Sequence, residues 1–84
     1  MPYQIIIKRS SEKELDSLYA NIRRRIAERL LALEENPRPP GVRKLQGEDT
    51  FRLRVGDYPA LYTIDDQTKT VTIYTVGHRR EVYR

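Results

Sequence analysis

The chain predicts an α+β fold: an N-terminal strand, a two-helix hairpin, then an antiparallel β-meander, all forming one sheet with the helices packed on one face. Three observations carry that prediction. The β-branched triplet Ile5-Ile6-Ile7 lies near the start, an apolar stripe at three- and four-residue spacing runs from Leu15 to Leu33, and three β-prone runs come after it, separated by two turn-forming clusters. A strand, then helices, then strands are most economically accommodated by a single sheet covered on one face.

Taken in order, Tyr3 to Lys8 is apolar on both faces, as an inner strand covered on one side by helices would be. Ser11 and Glu14 have the capping-box spacing, in which hydroxyl and carboxylate satisfy free amide donors of a first helical turn. Leu15, Leu18, Tyr19, Ile22, Ile26, Leu30 and Leu33 then make one helical stripe. Two short helices in a hairpin fit it as well as one long rod, and Asn21 is the candidate break because Asn favours caps and turns over helix interiors. The helical pattern stops at Glu35-Asn36-Pro37. Arg38-Pro39-Pro40-Gly41 cannot continue it, because proline lacks an amide donor and biases the preceding residue to extended geometry. This linker is too short to separate two domains, so residues 1–84 are expected to form a single domain.

The meander is read from its alternation. Phe51, Leu53 and Val55 fall on one face of a strand over Thr50–Val55, with Arg52 and Arg54 on the other, and Gly56-Asp57 makes a turn. Tyr58 to Ile64 forms the next strand, Asp65-Asp66-Gln67-Thr68 turns, and Lys69 to Val76 returns. Val71, Ile73 and Val76 do not keep strict alternation, which predicts a bulge or kink near Tyr74-Thr75 that re-aims the residues beyond it.

Composition bounds the function. A chain of 84 residues has one small core and little apolar surface left for a deep, dry cavity. A shallow cleft or an exposed sheet face is expected, which suits a polymer better than a small metabolite. Sixteen Lys and Arg against twelve Asp and Glu give a net charge of +4, and the pI near 9.6 points to a polyanionic or acidic partner. The absence of cysteine excludes disulfides and thiolate zinc sites, and a single His argues against a conventional zinc or iron site; no metal or cofactor is expected. No apolar run approaches the ~20 residues needed to span a bilayer, so no membrane partner and a cytoplasmic location are the default expectation.

The residues that carry chemistry lie in two places. Arg52 and Arg54 are separated by about 6 to 7 Å along a strand, close to the spacing of backbone phosphates, although any half-exposed strand also turns arginines outward. Beyond Val76-Gly77 come His78, Arg79, Arg80, Tyr83 and Arg84: an imidazole, three guanidiniums and a phenol. Without a metal, RNA is cleaved by attack of its own 2′-hydroxyl on the adjacent phosphate. That needs a base for the 2′ proton, cations for the charge gathering on phosphorus, and an acid for the departing 5′ oxygen. Arg suits the cationic role because it stays protonated and donates a bidentate fork. Imidazole is the side chain able to change charge near neutral pH, which makes His78 a candidate proton carrier, and Tyr83 can stack on a base or exchange a proton. Each also has a plainer reading: a surface histidine, a tyrosine covering the sheet, and Arg80 in a solvated pair with Glu81.

Over nearly its whole length the chain resembles the RelE/ParE superfamily of toxins from type II toxin–antitoxin pairs, with the RelE branch favoured. The resemblance runs through Tyr3-Gln4-Ile5-Ile6-Ile7, the helical hairpin ending in Asn36-Pro37, and Lys44-Leu45-Gln46-Gly47. Its most specific parts are Phe51-Arg52-Leu53-Arg54-Val55-Gly56-Asp57-Tyr58 and Val76-Gly77-His78-Arg79-Arg80-Glu81-Val82-Tyr83. It implies a RelE-like fold and a metal-independent endoribonuclease that cuts mRNA in the ribosomal A site and is silenced by a cognate antitoxin. By the same resemblance Arg52 and Arg54 fall where the family's paired basic residues lie, Arg79 on its transition-state arginine, and Tyr83 on the tyrosine that stacks on the mRNA base or assists proton transfer. With the residues read above, Arg54, His78, Arg79 and Tyr83 are the catalytic candidates, and Lys44, Arg52, Arg80 and Arg84 the RNA-binding ones. Two departures are visible. Pro59 stands where RelE-like toxins commonly carry an arginine, and Arg54 cannot lose a proton as a lysine can, which shifts the proton-carrying role toward His78 or Tyr83.

Two rival readings share the scaffold: a ParE-like toxin that binds DNA gyrase, and a catalytically degenerate toxin that acts mainly through its antitoxin. Arg23, Arg24, Arg25 and Arg29 on the second helix are either a basic patch for an acidic partner helix or strand, a contact for ribosomal RNA, or a solvated face.

Overall fold

The computed structural model describes residues 2–45 and 49–77. Its elements are β1 (Gln4–Ile7), α1 (Arg9–Asp16), α2 (Ala20–Leu31) with a 3₁₀ turn at Ala32–Glu34, β2 (Arg43–Lys44), β3 (Thr50–Val55), β4 (Tyr58–Asp65) and β5 (Thr70–Val76). The strands form one sheet in the order β1-β5-β4-β3-β2. β2, β3, β4 and β5 pair antiparallel in succession, whereas β1 runs parallel to β5.

The helices cover one face. Leu15, Ile26, Leu30 and Leu33 pack on Leu53, Val55, Ala60, Tyr62, Val71, Ile73 and Val76, all buried. The predicted alternation of β3 holds, with Leu53 and Val55 buried in that layer and Arg54 exposed on the far side. The predicted bulge is also present. Leu61 pairs with Thr75 and Tyr62 with Ile73, which leaves Tyr74 as the extra residue of β5, pushed outward and 40% exposed.

Three sequence expectations are corrected. β1 is an edge strand, not an inner one: among the described residues it pairs with β5 alone, and Ile6 on its outer face is 43% exposed. Ser11 and Glu14 do not make a capping box. Helix α1 begins after Lys8 without a side-chain cap, and both residues lie inside it, facing β5. The fully buried Ser11 hydroxyl donates to the Ile73 carbonyl at 3.3 Å, and Glu14 Oε1 accepts from the Val76 amide at 3.0 Å. An i, i+3 polar pair on the core face has the same spacing as a cap, and burial decides its use. Finally, the helices part at Ser17-Leu18-Tyr19 rather than at Asn21, which lies in the first turn of α2. Ser17 Oγ donates to the Glu14 carbonyl at 2.7 Å and its amide to Lys13 and Glu14, closing α1. Half-buried Leu18 then turns toward the core and Tyr19 takes extended geometry.

The proline segment is fastened to the sheet end. Tyr62 lies in the core, and its hydroxyl donates to the Pro37 carbonyl at 2.7 Å. Arg38 forms a fork on Asp66, at 3.0 and 3.3 Å, where the Tyr3 hydroxyl also donates. In the β4–β5 turn, Asp65 Oδ1 accepts from the amides of Gln67 and Thr68, and Lys69 takes φ +55°.

Candidate functional site

The site is built on the β3–β4 hairpin. Val55 pairs with Tyr58 across a two-residue turn, and Gly56 at its first central position has φ +62°, the left-handed geometry such a hairpin demands. This tight closure fixes the register, with Arg54 opposite Pro59 and Arg52 opposite Leu61. Side chains of directly opposed residues share a face, so Arg52, Arg54, Pro59 and Leu61 all lie on the side away from the helices.

β2 adds a residue that sequence reasoning misses. Arg43 is directly opposite Arg52, which places it on the same outer face, and it is exposed. Lys44, the sequence candidate, is opposite Phe51 and therefore belongs to the helix-side face, where its Nζ lies 3.8 Å from Asp49. The available signal is Val42, which packs against the core: with a period of two, the next residue, Arg43, must point away from it. Among the described residues neither Arg43 nor Arg54 makes an ion pair.

The end of β5 arrives at the same end of the sheet. Gly77 donates its amide to the Pro59 carbonyl at 3.3 Å, and Pro59 is opposite Arg54. Two strand spacings therefore separate the Gly77 backbone from that of Arg54, about 10 Å. Pro59 has no amide hydrogen and cannot donate in return, so the ladder is reduced to one bond at this level. Glu14 supports the preceding residue by binding the Val76 amide. His78, Arg79, Arg80, Tyr83 and Arg84 come after Gly77 and lie outside the described residues, as do Gln46 and Gly47 of the Lys44-Leu45-Gln46-Gly47 run.

The helix arginines do not form one patch. Arg23 and Arg24 line a groove of about 330 Å³ between α1 and α2, opposite Glu12 and Asp16. Arg25, with Ile22, lines a cleft of about 230 Å³ against the β3–β4 hairpin, and Arg29 stands four residues further along α2. Consecutive helical residues fan around the axis, which divides the run.

Comparison with known proteins decides the family. The family model for the ParE toxin of type II toxin–antitoxin systems matches residues 5–83. The chain is a toxin of the RelE/ParE superfamily. Toxin RelG of Mycobacterium tuberculosis is 35% identical over 88 residues, covering all of this toxin and 99% of the relative. Among solved structures, the archaeal RelE–RelB complex from Pyrococcus horikoshii matches with a TM-score of 0.85 and 33% identity, over 94% of the toxin and 97% of that chain. The RelBE2 toxin–antitoxin complex from M. tuberculosis matches at 0.83 and 32% identity, over 94% and 100%. The sequence expectation of a RelE-like α+β fold is thus met, with the parallel pairing of β1 added to it. Among the described residues no helix is long and apolar enough to cross a membrane.

Proposed function

We propose that the toxin is a metal-independent endoribonuclease that cuts mRNA in the ribosomal A site, and that a cognate antitoxin silences it. The observation that carries this reading is the arrangement at the hairpin end of the sheet. Arg52 and Arg54 project from the outer face, and β5 ends beside Pro59, the residue directly opposite Arg54. Polyanion contact at this end of the sheet fits both the net charge of +4 and the exposure of Arg54, which stands beside the fully buried Pro59.

In this reading the 2′-oxygen attacks the neighbouring phosphorus, the bond to the 5′-oxygen breaks, and a proton is moved from the former to the latter. Arg54 and Arg79 hold the charge that gathers on the phosphoryl oxygens, since guanidinium groups keep their proton and donate in pairs. His78 or Tyr83 carries the proton, and Tyr83 also offers a ring on which a base stacks. Arg52, Arg80 and Arg84 bind the flanking phosphates. Lys44, on the other face and beside Asp49, reaches RNA only by way of the sheet edge. Antitoxin partnership is supported by the family and by the toxin–antitoxin complexes of the relatives.

The deciding experiment is primer extension on cellular mRNA after brief expression of the wild type and of Arg79→Ala. Cuts made by the wild type and lost in the variant, which should still fold and bind antitoxin, are the expected result. A second reading is favoured by one observation: the matching family model is that of ParE. A ParE-like inhibitor of DNA gyrase would give DNA damage without mRNA cuts. An inert chain that binds antitoxin would mark a degenerate toxin, with Pro59 as its sign.

A further inference from the structure

We infer that Arg43 is a third phosphate ligand of the RNA path, lying beside Arg52 and extending the basic row of β3 onto the sheet edge. The inference rests on the nuclease reading above and assigns a residue to it on geometric grounds. Register places Arg43 directly across from Arg52, and directly opposed residues have Cβ atoms about 4.5 to 5.5 Å apart on one face. Arg54 stands about 6 to 7 Å from Arg52 along β3. The three arginines therefore stand in a bent row on an outer face that, among the described residues, faces no helix.

Two features separate this row from an ordinary solvated edge. Like charges directly opposite one another oppose strand pairing, yet the short β2 strand places an arginine against an arginine. The nearby carboxylate of Asp49 is engaged with Lys44 on the other face, so it does not neutralise Arg43. Positive charge gathered on one face suits a chain of phosphates.

The test is fluorescence anisotropy with a labelled single-stranded RNA oligomer across a series of KCl concentrations. The proteins are the purified wild type, Arg43→Gln, Arg43→Lys and Arg54→Gln. Arg43→Gln should bind about tenfold more weakly at low salt, the loss of one charge-assisted contact. Its plot of log affinity against log salt should be shallower by about 0.7, one single-strand phosphate. Arg43→Lys should keep the wild-type slope, and no variant should melt below the wild type, because Arg43 and Arg54 are exposed and, among the described residues, bonded to no acid, and Arg43→Gln relieves a like-charge pair. If Arg54→Gln weakens binding while Arg43→Gln leaves affinity and slope unchanged, Arg43 merely guards the sheet edge and the inference falls while the nuclease reading stands. If the wild type is indistinguishable from Arg54→Gln, the nuclease reading fails and this assignment with it.

Discussion

At the scale of single residues, two polar side chains play opposite parts in the response to pH. Tyr62 is wholly buried under the proline segment, and burial pushes its phenol up to about 12. The native state thus holds the proton more tightly than the unfolded chain, whose phenol titrates near 10. Stability conferred by Tyr62 is present in full below about pH 10 and is lost as pH rises from there toward 12. Tyr62→Phe should remove that alkaline loss. It should also cost about 1 to 2 kcal/mol near neutral pH in urea unfolding, because the Pro37 carbonyl loses its donor. Asp66 behaves in the opposite sense. The Arg38 fork, and then the Tyr3 hydroxyl, hold its carboxyl below the usual carboxylate range, so its contribution is present above the ordinary Asp value and is lost as pH falls through the lowered one. Asp66→Asn should flatten the acid limb of a pH–stability profile and leave the alkaline limb unchanged. Gly56 at φ +62° has open space where a Cβ would stand, so Gly56→Ala should cost about 1 to 2 kcal/mol through backbone strain alone, read from a thermal melt.

At the scale of elements, α1 is a brace for β5 as well as part of the core. Ser11 and Glu14 tie it to Ile73 and Val76, immediately before the chain passes Pro59. Glu14→Ala should lower stability by about 1 to 2 kcal/mol and, under the nuclease proposal, reduce mRNA cutting by more than that loss explains. Glu14→Gln, which keeps a carbonyl acceptor, should restore most of both. The same contacts explain which elements are legible in the sequence. β3 is legible because one face is buried and the other wet, so its period of two is written in residue type, and Gly56-Asp57 closes the hairpin. Tyr74 is legible as a bulge because Val71, Ile73 and Val76 fall out of step. Ser11 and Glu14 mislead, since the spacing of a cap and of two core-facing anchors is the same. The Ile5-Ile6-Ile7 triplet carries no information on which side is open, so an edge strand there reads like an inner one. β2 is too short to show a pattern, and that is why Lys44 stands out from sequence in place of Arg43.

At the scale of the whole molecule, the helices, proline segment and edge strand hold a basic outer face on one hairpin, and β5 ends beside it at Gly77. Arg52 and Arg54 can be found from sequence because a strand announces its own faces; the neighbour across the sheet cannot, since it depends on register between distant segments. That same dependence governs how the chain assembles. β1 pairs in parallel with β5, Gln4 beside Thr70 and Ile7 beside Ile73, more than sixty residues away in the sequence. During synthesis the opening strand therefore waits without a partner until the closing one emerges, and only then can the sheet be completed. Nascent chains stopped before Thr70 should remain protease-sensitive, while those extended past Val76 should become resistant. A toxin wired in this way has no finished fold, and so no armed surface, until both ends of that pairing have left the ribosome.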